Sequence, residues 1–141
     1  MLSLGAATII GQVANDVPAY HTTAPTKTTV VDPILKPDQL QSQISENFQR
    51  HAYELAAKPG MAKILYQLPC YCHCDRSLGH TSLHSCFSNH DEHGAHCGTC
   101  LQEAYYAYKM MKQGWTVAKI RESIVKGEWQ KIDLQTAASI E

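Results

Sequence analysis

The chain has 141 residues, of which 44% are hydrophobic and 18% charged, so it is long enough for one domain and too apolar to be a disordered charged tail. Twelve Lys and Arg residues stand against 13 Asp and Glu residues, and the formal charge is -1. The chain lacks the basic excess that neutralises phosphates, so we expect no nucleic-acid partner.

The N-terminal region resembles an export signal followed by a tether. The apolar run Leu2–Ile10 is far shorter than the roughly 20 residues that span a bilayer, so we expect no transmembrane segment. It is typical of the hydrophobic part of a secretory signal, and predicts a periplasmic or other extracytoplasmic location. Residues 21–37 are rich in Thr and contain three prolines, which predicts an extended linker. Residues 1–37 are therefore expected to be a signal-like segment and a flexible linker.

An amphipathic helix is predicted next. Asp38 is its expected N-cap, and Pro59-Gly60 is its expected stop. Its apolar residues recur every three to four positions: Leu40, Ile44, Phe48, Ala52 and Leu55. The short apolar segment 61–68 is compatible with one or two helical turns or with a strand.

Two further helices are predicted after the cysteine region. One begins near Thr99 or Cys100 and ends at Gly114, and the other is capped by Thr116 and ends at Gly127. Their apolar faces are Leu101, Ala104, Tyr105, Tyr108 and Met111 in the first, and Val117, Ile120, Ile124 and Val125 in the second. The sequence thus predicts a small, mainly α-helical domain over residues 38–127, followed by a polar tail over 128–141.

The segment from Cys70 to Cys100 holds all six cysteines and six of the eight histidines. The cysteines are Cys70, Cys72, Cys74, Cys86, Cys97 and Cys100. Leu78, Leu83 and Phe87 are its only large apolar side chains apart from Tyr71, so burial alone cannot fold it. We expect this irregular segment to be crosslinked across one end of the helical domain.

Disulfides are one possible crosslink. A bridge among Cys70, Cys72 and Cys74 would close a very short, strained loop. Each of the three would therefore pair with one of the later cysteines, which leaves six possible connectivities. This arrangement leaves the neighbouring histidines unexplained.

A soft metal is the crosslink that we favour. Cys97 and Cys100 form a C-x2-C pair at a helix start, and Cys70 to Cys74 supply three alternating thiols. All six cysteines are candidate ligands, with His73, His80, His84 and His96 as secondary candidates. His96 is preferred because it adjoins Cys97, whereas the sequence around His90 and His93 indicates a solvated loop. Two tetrahedral ions or one thiolate-bridged cluster would fit, with zinc ahead of copper and an iron–sulfur centre less favoured.

Thiol redox chemistry is the alternative. A C-x2-C pair at a helix start lowers a thiol pKa, so Cys97 is the expected nucleophile. The βαβ pattern of thioredoxin-like proteins is missing, as are the GxSxG and HExxH motifs, so an enzyme is not the favoured interpretation. A disulfide-stapled interaction module without catalysis remains a third possibility.

The motif PCYCHC at residues 69–74, followed by GHTSLHSC and HGAHCGTC, resembles a bacterial family named for its PCYCxC motif. The family is also described as CYCxC (seleno)proteins, because selenocysteine can occupy a motif position. The resemblance extends from about Leu65 to Gly127. It implies an exported protein in which at least one motif sulfur serves redox or soft-metal chemistry.

Overall fold

The computed structural model describes residues 16–41, 46–88 and 92–141, and in these ranges it is mainly helical without a β-strand, as predicted. The signal-like residues 1–15, Ile44 and His90 lie outside the described residues. The α-helices are α1 (Asn47–Ala56), α2 (Met61–Tyr66), α3 (Cys74–Ser77), α4 (Leu83–Ser88), α5 (Gly98–Lys112) and α6 (Val117–Val125). Short 3-10 helices span Pro37–Gln39, His93–His96, Glu128–Lys131 and Ala137–Ser139. None of the helices in this part of the chain is both long and apolar enough to cross a bilayer.

The long helix α5 agrees with the prediction at both ends. It begins at Gly98, one or two residues before the expected start, and its N-cap is Cys97. At the C-terminal end Gly114 has φ +86°, and its N–H donates to Met111 O while the Trp115 N–H donates to Met110 O. This pair of hydrogen bonds is a Schellman motif, which a glycine in the left-handed region completes without strain.

Helix α6 also begins where the sequence indicates. The Thr116 hydroxyl accepts the N–H of Lys119 at 3.2 Å, which confirms its role as N-cap. Ile120 and Ile124 are fully buried, but Val125 is 43% exposed. Val125 lies about 100° round the helix from Ile124, so it is turned away from the buried side of the helix.

The predicted helix from Asp38 to Leu55 is wrong in its first part. Pro37–Gln39 form a single 3-10 turn, Leu40 is extended with ψ 146°, and α1 begins only after the extended residue Glu46. The Glu46 N–H donates to Gln49 Oε1 at 3.2 Å, so Glu46 rather than Asp38 precedes the helix. Leu40 is 6% exposed and reaches the core from extended backbone, where helical spacing is not needed.

The remaining helices enclose one core. The apolar segment after Gly60 is the helix α2, which packs against α4, while α5 packs against α1 and α6. The largest completely buried apolar and aromatic side chains include Tyr53, Met61, Leu65, Leu68, Leu83, Phe87, Tyr105, Ile120 and Ile124. Tyr53 and Phe87 meet edge to face with ring centroids 4.9 Å apart, and the Tyr53 hydroxyl donates to Cys86 O at 3.4 Å. The core therefore reaches directly under the cysteine segment.

Both flanks of the helical domain contact it. In the predicted linker, the Leu35 N–H donates to Phe87 O at 2.9 Å, and the His21 ring stacks on Tyr66 with centroids 3.7 Å apart. In the predicted tail, Trp129 is 8% exposed and stacks near Tyr71 with centroids 6.4 Å apart. Residues from both flanks therefore pack against the helical domain, and Trp129 lies beside Tyr71 of the motif.

Candidate metal centre

The motif forms a tight turn that presents its cysteines on one side. The His73 N–H donates to Cys70 O at 3.1 Å, and His73 itself is left-handed with φ +57°. Helix α3 starts immediately afterwards at Cys74. This reversal lets Cys70 and Cys72 face the same centre although only one residue separates them.

The helix α5 supplies the opposing thiols. Cys97 is the N-cap and Cys100 lies three residues later, so both side chains are on the same face of the first turn. A third chain segment contributes Cys86 from α4, which is fully buried. The site thus joins three regions far apart in sequence.

The sulfur atoms in this centre are close but unbonded. Cys70 Sγ lies 3.2 Å from Cys72 Sγ and 3.1 Å from Cys100 Sγ, and Cys72 and Cys100 are 3.5 Å apart. All six cysteines are free thiols in the structure. Two thiolates on one tetrahedral Zn²⁺ with Zn–S bonds of about 2.3 Å stand about 3.8 Å apart, so small shifts would admit an ion.

Two overlapping sets of four residues could each hold a metal ion. Cys70, Cys72, Cys86 and Cys100 form the inner set, and Cys72, His93, Cys97 and Cys100 form the outer set. Within each set the ligand atoms all lie within 4.8 Å of one another. Three of the inner ligands are buried, whereas three of the outer ligands are partly exposed. This donor chemistry, sulfur with one imidazole, suits a soft or borderline metal ion.

Two further predicted ligands border these sets. Cys74 Sγ lies 2.6 Å from His93 Nε2, next to the outer set. His80 Nδ1 lies 3.4 Å from Cys86 Sγ, next to the inner set, and its ring centroid is 5.6 Å from that of His93. Neither Cys74 nor His80 belongs to a four-ligand set among the described residues.

The other predicted histidines lie elsewhere. His96 is mostly exposed, and its Nε2 is 4.0 Å from Glu92 Oε2. His84 Nδ1 is 3.3 Å from Ser88 Oγ, and burial lowers the pKa of His84. His73 lies beside Tyr71 with ring centroids 5.9 Å apart.

His93 is a site residue that the sequence analysis assigned to a solvated loop. The 3-10 helix His93–His96 turns it toward Cys74 and the outer set. Its glycine neighbour makes this approach possible, since a Cβ on Gly94 would lie 2.6 Å from Cys86 O. No spacing rule distinguishes His93 from His96 in an irregular loop, so the sequence alone held no signal for the choice.

Glu103 is a second residue of the site that the sequence analysis does not predict. It is fully buried on α5, and its carboxyl oxygens accept the Tyr71 N–H at 3.1 and 3.3 Å. Burial raises the pKa of Glu103 well above its usual range, although hydrogen bonds with Cys70 and Tyr71 act to lower it. The sequence does contain a signal for it, because Glu103 is an acidic residue three positions after Cys100 among the apolar residues of a predicted helix.

The thiols differ in acidity, and not as the sequence predicts. Hydrogen bonds from Cys100, Cys70 and Cys86 hold the pKa of Cys72 below its usual range. Hydrogen bonds with Cys100 and Cys70 lower the pKa of Cys86 to about 7. A hydrogen bond with Cys100 acts to lower the pKa of Cys97 as well, but its contact with Cys72 and its burial outweigh this, and the pKa is raised. The prediction that Cys97 has a lowered pKa is therefore wrong.

Most of the chain matches one known protein family. The profile of a family described as "Protein of unknown function with PCYCGC motif" matches residues 21–131. No curated protein and no solved structure is significantly similar to the chain. The chain has His73 where the named motif has glycine, and this is the left-handed residue of the turn. Glycine adopts that conformation without the steric cost that His73 incurs, which explains the motif glycine physically. The match covers well over half of the sequence, and the chain therefore belongs to the PCYCGC-motif family.

Proposed function

We propose that this protein binds a soft metal ion through the inner set, with zinc preferred to copper. One observation carries the proposal. Four sulfur atoms, which come from the motif turn, α4 and α5, all lie within 4.8 Å of one another. Four thiolates in a closed, buried arrangement are typical of structural zinc sites. A Cu(I) ion also accepts thiolates, and an iron–sulfur centre would use the same four cysteines but is less favoured.

The burial of this site supports binding rather than catalysis. Cys70 is 5% exposed, while Cys86 and Cys100 are completely buried, so a bound ion would have little room for a substrate. Catalytic zinc sites usually keep one position open to water, whereas structural sites fill all four positions with protein ligands. The bound ion would add a direct crosslink between three chain segments that the apolar core already packs together.

We place this function in the cell envelope. The support is the signal-like sequence at residues 1–19 and the resemblance to exported proteins with the PCYCxC motif. Fractionation of the native host, with this protein detected by antibody, tests the location. Recovery only in the cytoplasmic fraction would contradict it.

Thiol redox chemistry is the second candidate, and the acidity of Cys72 favours it. Cys72 is partly exposed, its pKa is lowered, and its sulfur lies 3.5 Å from Cys100 Sγ. The Cys72 thiolate would attack a partner disulfide and release one partner thiolate. Cys100, after losing its proton, would then displace the second, which leaves a Cys72–Cys100 disulfide and a partner reduced by two electrons.

One experiment separates the two functions. The protein is purified anaerobically with reductant, its metals are measured by elemental analysis, and its thiols are alkylated with and without chelator. Metal binding predicts at least one zinc per chain and slow alkylation that chelator accelerates for the inner cysteines together. A metal-free chain in which Cys72 alone reacts rapidly, with or without chelator, would establish the redox function instead.

Matched variants locate the ion. Cys86→Ser removes an inner ligand and should abolish retention of the inner ion, whereas Cys74→Ser changes a cysteine outside the inner set and should retain it. Equal metal content in Cys86→Ser and in the wild type would contradict the inner site. Circular dichroism of each variant establishes that it is folded before its metal is counted.

A further inference from the structure

The inner and outer sets share two ligands, Cys72 and Cys100. Each set has the four ligands of a tetrahedron, and the two sulfurs define an edge common to both. We propose that the site holds a dinuclear cluster, in which Cys72 and Cys100 bridge an inner and an outer divalent soft ion. This proposal rests on the proposed function and extends it to a second metal site.

The geometry of the shared edge suits bridging sulfurs. Cys72 Sγ and Cys100 Sγ are 3.5 Å apart, and the remaining ligands divide into separate pairs. Cys70 and Cys86 complete the inner set, and His93 and Cys97 complete the outer set. Each ion would thus have two ligands of its own and two shared ones, so neither ion needs to displace the other.

Charge also favours two divalent ions. One divalent ion held by four thiolates leaves two negative charges uncompensated in a mostly buried site. A second divalent ion with one more thiolate and a neutral imidazole reduces that excess to one, which lowers the cost of burial. The nearby carboxyl of Glu103 adds no compensating positive charge. Monovalent ions would leave three negative charges, so the pair is expected to be divalent.

The two ions would differ in access. The inner ligands Cys70, Cys86 and Cys100 are buried, whereas Cys72, His93 and Cys97 of the outer set are partly exposed. Cys74 Sγ adds a further soft donor 2.6 Å from His93 Nε2 at this outer edge. The outer ion is therefore the one that binds last and that a chelator removes first.

Wild-type protein loaded with ¹¹³Cd²⁺ tests the cluster without any mutation. The expected result is two bound ions per chain by elemental analysis, and two ¹¹³Cd resonances split by scalar coupling through the bridging sulfurs. A single bound ion at saturation would overturn the dinuclear cluster and leave the proposed function intact. Two ions without coupling would also overturn the cluster. If the protein binds no ion at all, both the cluster and the proposed function are overturned.

Variants assign the outer ion. His93→Gln and Cys97→Ser should each lose one of the two ions and keep the other, whereas the matched control His96→Gln should keep both. Chelator competition should remove one ion from the wild type well before the second. If a folded His93→Gln variant retains two coupled ions, His93 is not an outer ligand and the proposed cluster is overturned.

Discussion

The buried carboxyl of Glu103 accepts the backbone N–H of Tyr71, at the centre of the PCYCHC turn. This contact joins the first turns of α5 to the motif, 32 residues earlier in the chain. Tyr71 is flanked by Cys70, which belongs to the inner set alone, and by Cys72, which belongs to both sets. Glu103 is therefore positioned to hold the motif turn in register with Cys100.

Replacement of Glu103 should weaken metal binding without removing any ligand. Glu103→Ala leaves the Tyr71 N–H without its acceptor in a partly buried site, which costs about 1 kcal/mol of stability. Loss of such outer-shell support typically lowers metal affinity by about 10–100-fold. Competition titration with a chelator measures the change, and Glu122→Ala on the exposed face of α6 is the control. Equal affinities for both variants would contradict the positioning role.

The stability of the metal-free protein should fall as pH rises above the unfolded pKa of Glu103. Burial raises the folded pKa of this carboxyl above its ordinary value of 4.5, so the folded state keeps a proton that the unfolded state has released. The stabilisation is complete below the unfolded pKa and is lost as pH rises toward the folded pKa, by up to about 1.4 kcal/mol per pH unit. Urea unfolding between pH 4 and 7, with chelator and reductant, should show a shallower pH slope in Glu103→Gln. Identical slopes would show that the carboxyl is ionised in the folded state.

Alanine should be tolerated at Gly98 and not at Gly94. A Cβ at Gly94 would lie 2.6 Å from Cys86 O, so the backbone that carries Cys86 or His93 must move. The expected loss is about 1–3 kcal/mol, together with weaker metal binding. At Gly98 the nearest atom is Leu134 Cδ1 at 3.8 Å, so alanine fits and favours the helix. Thermal unfolding of both variants provides the comparison, and similar melting temperatures would contradict the close approach.

Glycine at position 73 should stabilise the motif turn. His73 has φ +57°, a conformation that costs a non-glycine residue about 1–3 kcal/mol. His73→Gly relieves that cost and restores the residue of the named motif, although the entropy of the unfolded chain offsets part of the gain. His73→Val, which is β-branched, should destabilise the fold because its side chain resists this conformation. Denaturant unfolding in the presence of saturating zinc measures both, and a less stable glycine variant would indicate that the His73 side chain contributes binding energy.

Removal of metal should loosen the segment from Cys70 to Cys100. This segment has few large apolar side chains, and one of them, Leu78, is 49% exposed. We therefore expect the folded structure of the segment to depend on the metal ligands. Limited proteolysis after treatment with chelator and reductant should give new cleavages in this segment and lower the stability of α5. Zinc added back should suppress them. A cleavage pattern that does not change with metal would contradict the dependence.

Local chemistry determined much of the fold from sequence alone. The end of α5 at Gly114 and the start of α6 at Thr116 depend on hydrogen bonds within a few residues, so the sequence contains all the information needed. The start of α1 was mispredicted because Leu40 fits the helical period equally well. Only contact with the core shows that Leu40 packs from extended backbone.

The candidate site, like the fold, could be predicted from the sequence only in part. The density of cysteine and histidine between Cys70 and Cys100 indicates soft-metal or redox chemistry without any structure, because few other roles use so many sulfur and imidazole groups. Which ligands meet was decided by the tertiary structure: it brings Cys86 from α4 to the motif and turns His93, rather than His96, toward the thiols. These choices depend on distances between segments that are remote in sequence and on a backbone approach that only Gly94 permits.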